Sequence, residues 1–378
     1  LIVNTPEKYT RLTGAQVLTG WEAIAVDPAA KKVRARTENG EEQDFPYDEL
    51  VITTGASAVL PPIPGMDKKG IFKLRTPEDA AGIRTYIQTT KAAKALVIGA
   101  GFIGLETAEN LLAQGLSVTV VEAVPQILPH VFDPEMAAYV QRQLQKKGLQ
   151  ILTGVKASSV LGDATATGLQ TEMGPLQGDI LIASAGIRPN TAFLKDLGLE
   201  MTKGTLLVNE HLQTSLPDIY AAGDCTGLLP LASVAAMQGR IAMYHALGEG
   251  VSPIKLRTVA AAVFTRPEIA AVGVPQSAID AGTVPARTLM LPLNTNARAK
   301  MSLLEHGFVK IFCRPATGVV IGGVVVAPIA SELILPIALA VQNRISVTDL
   351  AQTLSVYPSL SGSIIETARR LMAHDDLD

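Results

Sequence analysis

The strongest constraint on the fold is a glycine pattern placed between an apolar strand and a helix. Residues 95–98 form an apolar strand pattern, and the run GAGFIG, with glycines at Gly99, Gly101 and Gly104, follows it directly. A helical pattern then extends through Leu112, and a second strand pattern covers residues 118–122. This order of strand, glycine turn, helix and strand predicts a βαβ unit with a dinucleotide at the turn.

Each position of this turn requires glycine for a different physical reason. Gly99 allows the tight turn, Gly101 lets the backbone approach a pyrophosphate at the helix N-terminus, and Gly104 permits close helix packing. Glu122 ends the next strand 18 residues after Gly104, near the roughly 20 expected for an acid that binds the adenosine ribose hydroxyls. Its charge would repel a 2′-phosphate, so we predict NADH over NADPH. The alternative is a glycine-rich turn beside a solvent-facing acid.

Two parts of the chain repeat one pattern. QVLTG at residues 16–20 recurs as QILTG at residues 150–154. Each copy continues with two strand patterns separated by polar turns and closes with an apolar strand that ends at Gly55 or Gly186. Agreement in order and length favours duplication over the turn chemistry that antiparallel meanders share. The predicted strands are 22–26, 32–36 and 50–54 in the first copy and 158–161, 169–172 and 180–185 in the second.

The duplication predicts a second dinucleotide domain. The fingerprint begins 51 residues before Gln150, so the first copy's fingerprint would begin 51 residues before Gln16, ahead of residue 1. The sequence also has no initiator Met. We therefore expect that the N-terminal βαβ unit of the first domain is missing from this sequence.

These motifs resemble those of the pyridine nucleotide-disulfide oxidoreductases, flavoproteins with two dinucleotide domains, over essentially the whole chain. TTGA at residues 53–56 is similar to the strand end where the chain leaves the FAD domain, and IYAAGD at residues 219–224 is similar to the second FAD motif. The resemblance implies FAD and NAD(H) as cofactors. It implies as cofactor-binding residues Gly99, Gly101, Ile103, Gly104, Glu106, Glu122 and Gly186 for NAD(H), and Thr54, Gly55, Gly223 and Asp224 for FAD.

Some of these assignments have structural alternatives. The Asp224 carboxylate would accept a hydrogen bond from the flavin ribitol, but Gly-Asp is also common in an exposed turn. Glu106 would lie near the nicotinamide, or it is a plain carboxylate on a helix face. Arg188 would lie beside bound NADH, or it forms a surface ion pair.

The implied fold is α/β, with duplicated Rossmann-like FAD and NAD domains, antiparallel meanders and a C-terminal α+β dimerisation domain. The predicted domains are 1–92, a truncated FAD domain; 93–205, the NAD domain; 206–252, the second part of the FAD domain; and 253–378, the dimerisation domain. Up to about residue 225 the chain is most similar to NADH oxidases and coenzyme A-disulfide reductases. The remainder is most similar to dihydrolipoamide dehydrogenases.

The dimerisation domain departs from the lipoamide dehydrogenase pattern at two positions. Tyr357 stands where that family has a catalytic His, and Gly362 stands where it has the Glu that orients this His. Tyrosine, with a reference pKa near 10, is a poor base at neutral pH. Cys225 and Cys313 are expected to be small buried side chains, and the family's redox-active cysteine would lie upstream of residue 1. No catalytic residue is therefore assigned.

Such departures resemble the lipoamide-dehydrogenase-like NAD(P)H:quinone reductases. The implied activity is hydride transfer from NADH to flavin and electron transfer to a quinone-like or other diffusible acceptor, in a homodimer. The alternatives are an NADH oxidase or coenzyme A-disulfide reductase, and a dihydrolipoamide dehydrogenase-like thiol-disulfide oxidoreductase. From another class, the alternative is a non-catalytic nucleotide-binding fragment that holds NADH without flavin.

The composition limits the classes of partner and metal site that we expect for this chain. The net charge is −3 and aromatic residues make up 4% of the chain, too few to interleave with basic residues on a nucleic-acid surface. Two cysteines 88 positions apart suggest neither a disulfide framework nor a metal site. We find no signal-peptide pattern and no metal motif, so we expect a cytoplasmic protein without nucleic-acid partners.

One segment is long and apolar enough to be considered as a membrane-spanning helix. Residues 316–341 are almost wholly apolar, but Pro328, Glu332 and Pro336 interrupt them. The first half is β-branched and glycine-rich, and the second half has a helical pattern. We predict a buried strand at 318–326 and a core helix at 331–341, and no membrane span.

Overall fold

The computed structural model describes residues 4–129 and 134–372. The outermost residues of the first and last predicted domains, 1–3 and 373–378, lie outside that description. The chain forms two compact units, one of Leu1–Ser57 with Arg188–Ile254 and the other of Ala58–Ile187 with Lys255–Asp378. We call them the first unit and the second unit. The predicted domain boundaries at residues 92, 205 and 252 stay predictions.

The α/β class is confirmed by the elements of the described residues. The strands are β1 (Trp21–Asp27), β2 (Lys32–Thr37), β3 (Glu42–Pro46), β4 (Leu50–Ile52), β5 (Ala56–Ala58), β6 (Ile71–Lys73), β7 (Lys94–Ile98), β8 (Ser117–Glu122), β9 (Gln150–Thr153), β10 (Ala157–Leu161), β11 (Gly168–Thr171), β12 (Gly174–Gln177), β13 (Ile180–Ala183), β14 (Ile187–Pro189), β15 (Met201–Thr202), β16 (Thr205–Leu206), β17 (Ile219–Ala221), β18 (Ala261–Val263), β19 (Glu268–Gly273), β20 (Arg287–Pro292), β21 (Phe308–Cys313) and β22 (Val320–Ala327).

The helices are α1 (Pro6–Thr13), α2 (Pro77–Thr90), α3 (Phe102–Ala113), α4 (Pro134–Lys146), α5 (Ala232–Ala246), α6 (Gln276–Asp280), α7 (Ala297–Met301), α8 (Ala330–Asn343), α9 (Val347–Gln352) and α10 (Gly362–Met372). Short 3-10 turns cover Ala192–Leu194, Asp224–Thr226, Leu256–Thr258 and Leu293–Thr295.

The second unit contains a five-stranded parallel sheet in the order β6-β13-β7-β8-β9. The central strands are apolar and almost wholly buried, as expected for a parallel sheet covered on both faces. Strand β7, helix α3 and strand β8 form the βαβ unit that the glycine pattern predicts, so that prediction is confirmed. The glycine turn therefore lies at the carboxyl edge of this sheet.

The repeated meander is also confirmed. Strands β1-β2-β3 form one antiparallel sheet and β10-β11-β12 form another. A register shift lies between Ala23 and Ala25 in the first copy and between Ala157 and Ser159 in the second, 134 positions later in each case. Matching irregularities of this kind support a duplication, since a β-bulge is a specific local feature. The third strands, β3 and β12, were not predicted.

The first unit contains a two-stranded parallel sheet of β4 and β17. Strand β4 closes its meander as β13 closes the second one, and β13 pairs with neighbours on both sides. In the described part of the chain, β4 pairs with β17 alone. Both strands carry candidate cofactor residues at their carboxyl ends.

Five antiparallel strands in the order β18-β19-β22-β21-β20 form another sheet of the second unit. All eight residues of β22 are buried, and α8 packs on this sheet with α10. The strand and the core helix predicted within residues 316–341 are thus confirmed as β22 and α8. Among the residues that the structure describes, no helix is long and apolar enough to cross a bilayer.

Candidate dinucleotide-binding sites

The glycine turn between β7 and α3 is held by direct backbone packing. Gly99 has φ +101°, and a Cβ added there would overlap the carbonyl oxygen of Ser184. A Cβ added at Gly104 would overlap the carbonyl oxygen of Gly99. Both positions therefore require glycine so that α3 can approach the carboxyl ends of β7 and β13.

Gly101 differs from the other two glycines of this turn. It is the N-cap residue of α3 and no side chain among the described residues caps the helix, while a Cβ added at Gly101 would meet none of their atoms within 4 Å beyond its own chain neighbours. Open space thus lies over the helix N-terminus, where unpaired N–H groups and the helix dipole favour an anion. These residues fit a dinucleotide pyrophosphate.

Glu122 lies at the turn, as its spacing predicts. Its Oε2 accepts a hydrogen bond from the Ala100 N–H at 2.7 Å, and its Oε1 accepts one from the Val124 N–H at 3.0 Å. Two backbone donors thus fix the orientation of the carboxylate beside Gly101. Each oxygen keeps acceptor capacity for a ribose hydroxyl.

Glu106 makes a contact that the sequence did not predict. Its Oε1 accepts a hydrogen bond from the Phe264 N–H at 2.9 Å. Burial raises the pKa of the Glu106 carboxyl, and the Phe264 N–H opposes this rise. One oxygen of Glu106 is thus bound by a backbone segment 158 positions away.

Glu109, one turn later on α3, holds the same segment. Both of its oxygens accept from the Arg266 N–H, at 3.1 and 2.9 Å, and Oε1 lies 2.8 Å from the Lys147 ammonium. The spacing Glu106-x-x-Glu109 places two carboxylates on one helix face. This spacing is the one sequence feature that points to a contact between α3 and another segment. Together the two acids fasten α3 to the segment before β19.

The remaining NAD(H) candidates lie at the same sheet edge. Gly186 follows β13 with φ +112°, and Ile103 is 38% exposed in the first turn of α3. Arg188 is exposed, and its role beside NADH stays a prediction. The structure thus brings together Gly99, Gly101, Ile103, Gly104, Glu106, Glu122 and Gly186 at the carboxyl edge of the parallel sheet or on α3.

The FAD candidates lie together in the first unit. Thr54 and Gly55 follow β4, and Gly223 and Asp224 follow its partner β17. Gly55 has φ +65° and Gly223 has φ +84° with ψ −157°, a combination that only glycine adopts readily. These two turns leave adjacent strands at the same end.

Two observations near Thr54 fit part of a cofactor site. The Thr54 hydroxyl oxygen is buried and has no hydrogen-bond partner among the described residues, which is costly unless a bound group supplies one. A cavity of about 220 Å³ lies beside it, lined by Ala23, Val26, Val33, Leu50, Val51, Ile52, Thr53, Thr54 and Phe193. The residues present therefore fit contact with FAD, and the sequence holds one GxGxxG fingerprint.

Both cysteines are buried, as predicted. The Cys225 thiol donates to the carbonyl oxygens of Ala222 at 3.2 Å and Ile52 at 3.4 Å. Burial raises the pKa of the Cys225 thiol, and a raised pKa disfavours the reactive thiolate. Cys313 belongs to the fully buried strand β21. In the described ranges no group of three His, Cys, Asp or Glu side chains could hold a metal ion.

Tyr357 and Gly362 lie on either side of a short surface segment. Tyr357 is 85% exposed between α9 and α10, and Gly362 begins α10. Neither residue has an acid or a histidine as a hydrogen-bond partner among the described residues. The position that resembles the family's His thus carries a phenol that is exposed in this chain.

The sequence comparisons give two family matches. Residues 4–239 match pyridine nucleotide-disulphide oxidoreductases, and residues 259–368 match the dimerisation domain of the same family. An NAD(P)H dehydrogenase (quinone) from Mycobacterium tuberculosis is 51% identical over 374 residues, covering 97% of this chain and 74% of the relative. An NADH oxidase from Methanocaldococcus jannaschii is 38% identical over 252 residues, covering 64% of this chain and 56% of the relative.

A solved structure matches over the same length. The crystal structure of LpdA from Mycobacterium tuberculosis has a TM-score of 0.84 and 50% identity, covering 95% of this chain and 78% of that one. Because a single relative matches 97% of the chain, the part similar to NADH oxidases and the part similar to lipoamide dehydrogenases occur together in a homologous protein.

We expect opposite outcomes from adding a methyl group at two glycines of the turn. Gly101→Ala should fold normally and lose NADH affinity, because the new Cβ enters only the open space over the helix. Gly104→Ala should lose at least 1–3 kcal/mol of stability, as overpacking typically costs about that much. Thermal unfolding and NADH titration of both variants test this. Unchanged NADH affinity in Gly101→Ala would contradict the assignment of the turn.

The raised pKa of Glu106 predicts a pH-dependent stability. The folded protein keeps the Glu106 proton to a higher pH than the unfolded chain, whose reference pKa is 4.5. The wild type must therefore lose stability relative to Glu106→Gln as the pH rises above 4.5, while Gln retains an acceptor for the Phe264 N–H. We expect the melting-temperature difference between variant and wild type to grow in this direction. Glu109→Gln is the control, and should melt lower at neutral pH because it loses the Lys147 ion pair.

Proposed function

The chain belongs to the pyridine nucleotide-disulphide oxidoreductase family, whose members use FAD and NAD(P)H, and we propose that this flavoprotein oxidoreductase delivers electrons from NADH to a quinone-like acceptor. The choice of acceptor rests on Tyr357 and Gly362, which stand at the positions that resemble the His-Glu pair of lipoamide dehydrogenases. A dithiol substrate needs a base of pKa near neutrality, which a tyrosine does not supply. The quinone-acting relative that matches 97% of the chain supports the same choice.

The residues of the second unit would bind and orient NADH. Gly101 and the uncapped N-terminus of α3 would hold the pyrophosphate, and Glu122 would accept hydrogen bonds from the adenosine ribose. The fixed negative charge of Glu122 disfavours a 2′-phosphate, so we propose a preference for NADH over NADPH. Gly186 and Ile103 would border the bound dinucleotide.

The residues of the first unit would contact FAD. Asp224 would accept a hydrogen bond from the ribitol chain, and the Thr54 hydroxyl would gain the partner that it lacks among the described residues. Bound FAD supplies two-electron chemistry with NADH and one- or two-electron chemistry with a quinone. Reduction of a diffusible acceptor at the flavin requires no protein thiol, which agrees with the buried positions of Cys225 and Cys313.

We propose a cytoplasmic homodimer built through the dimerisation domain. Leu354, Val356 and Tyr357 are 98%, 79% and 85% exposed on one short segment of that domain. Large apolar side chains grouped on a surface indicate an interaction site. A second copy of the chain would cover them.

Acceptor choice is tested with the flavin-loaded protein, NADH and a panel of acceptors. We expect turnover with menadione, a soluble quinone, and the same rate after alkylation of accessible thiols with iodoacetamide. Faster turnover with coenzyme A disulfide or lipoamide, abolished by alkylation, would favour the thiol alternatives instead. NADH binding without flavin and without turnover would favour the non-catalytic alternative.

Charge placed on the proposed dimer surface should separate the protomers. Leu354→Glu combined with Val356→Glu is expected to shift the protein from dimer to monomer in sedimentation velocity, because two carboxylates would be buried without partners. Met173→Glu, at a 70% exposed apolar residue between β11 and β12, is the matched control and should remain dimeric. A monomeric wild type, or a dimeric double variant, would contradict this surface.

A further inference from the structure

Each of the two turns at the candidate flavin site is bound by one amide side chain from elsewhere in the first unit. Gln238 of α5 is completely buried. Its Oε1 accepts a hydrogen bond from the Gly223 N–H at 2.6 Å, and its Nε2 donates to the Leu228 carbonyl oxygen at 3.5 Å. This one side chain therefore joins the turn after β17 to the loop that leads into α5.

The side chain of Asn190 binds the other turn of the site, which follows β4. Its Nδ2 donates to the Thr54 carbonyl oxygen at 3.0 Å, and its Oδ1 accepts from the Ser57 hydroxyl at 2.8 Å. The backbone N–H of Asn190 also donates to the Gly55 carbonyl oxygen at 3.0 Å. The turn after β4 is thus bound at three points.

Gly223, the residue before Asp224, is hydrogen-bonded on both sides, and Gln238 binds its N–H. On the other side of Gly223, its carbonyl oxygen accepts from the Thr226 N–H at 3.0 Å and from the Thr226 hydroxyl at 2.8 Å. Gly223 is thus held at both its N–H and its carbonyl, in a backbone conformation that depends on glycine. The orientation of the peptide that leads into Asp224 then follows from these bonds.

Packing alone does not require an amide at this position. Val234, Ile241 and Ala242 are also buried on α5 and anchor the helix through apolar contact. A methionine would fill a similar volume without the desolvation cost of a buried amide. The polar atoms of Gln238 are therefore best accounted for by the bonds that they make to Gly223 and Leu228.

We propose that Gln238 is a positioning residue for the flavin site, which acts on Asp224 through the N–H of Gly223, and that Asn190 positions Thr54 and Gly55 in the same way. This inference rests on the FAD assignment made above. It adds two residues that touch the backbone of the site and reach the cofactor only through that backbone.

The first experiment compares two substitutions at one position. Gln238→Met removes the acceptor and keeps the volume, and we expect FAD to bind about 10- to 100-fold more weakly, the range that an unsatisfied buried N–H implies. Burial disfavours the charged form of a carboxyl, so Gln238→Glu in its protonated form keeps an acceptor oxygen for the Gly223 N–H and gains a donor for the Leu228 carbonyl oxygen. This variant should bind FAD within about threefold of the wild type. Fluorescence titration of the flavin-free protein with FAD measures both constants.

A second measurement does not depend on bound flavin. Hydrogen exchange of the segment 220–228 in flavin-free protein should be faster in Gln238→Met than in the wild type, and near the wild-type rate in Gln238→Glu. Gln143→Met makes the same change at a buried glutamine on α4 of the other unit. It should leave both FAD affinity and exchange in segment 220–228 unchanged. Asn190→Ala should weaken FAD binding less than Gln238→Met, because Asn190 is exposed.

The outcomes separate this inference from the FAD assignment. Equal FAD affinity in wild type and Gln238→Met, or equal weakening by Gln238→Met and Gln238→Glu, overturns the positioning role. Asp224→Asn tests the assignment itself, since it must weaken FAD binding if Asp224 contacts the ribitol. If Asp224→Asn weakens binding and Gln238→Met does not, only the positioning role fails. If the wild type binds no FAD, the assignment fails and the positioning role fails with it.

Discussion

Helix α3 approaches the carboxyl ends of β7 and β13 most closely at two glycines, where backbone meets backbone, while Leu105, Ala108 and Leu111 of α3 pack in the core with the strands. Gly104 lies against the Gly99 carbonyl, and Gly99 lies against the Ser184 carbonyl, with no room for a Cβ at either glycine. This contact brings an uncapped helix N-terminus to the sheet edge. It also places Glu122 within reach of the turn and directs Glu106 toward the segment that precedes β19. The candidate NADH site and its connection to the antiparallel sheet both depend on this approach.

The two units stabilise similar turns by different means. In the second unit, the turn after β7 is stabilised by glycine packing and by the carboxylate of Glu122. In the first unit, the turns after β4 and β17 are bound by the amides of Asn190 and Gln238. A carboxylate at a pyrophosphate-binding turn adds selectivity at the ribose, whereas a neutral amide fixes backbone geometry without adding charge next to Asp224. Under the proposed assignment the two turns would contact different parts of their dinucleotides, which accounts for the difference.

Local spacing was enough to predict the βαβ unit, the glycine turn and Glu122, since their geometry follows from neighbouring residues. The duplication was visible in QVLTG and QILTG, and the structure adds matching register shifts near Ala23 and Ala157. Strand β3 was not predicted because its sequence EQDFP is mostly polar and ends in Pro46, both unusual in a strand. The bond between Glu106 and Phe264 joins residues 158 positions apart, and no local pattern indicates such a pair. Gln238 was not predicted for a similar reason, since a glutamine on a helix is usually exposed.

We propose that electrons pass from NADH through flavin to a diffusible acceptor without a protein thiol. An anaerobic titration of the flavin-loaded protein with NADH, followed by the visible absorption of the flavin, tests this claim most directly. A flavin that accepts two electrons should be fully reduced by about one equivalent of NADH, and menadione should then restore the oxidised spectrum. Consumption of about two equivalents per flavin, with the appearance of new titratable thiols, would show that a disulfide takes part and would contradict the account.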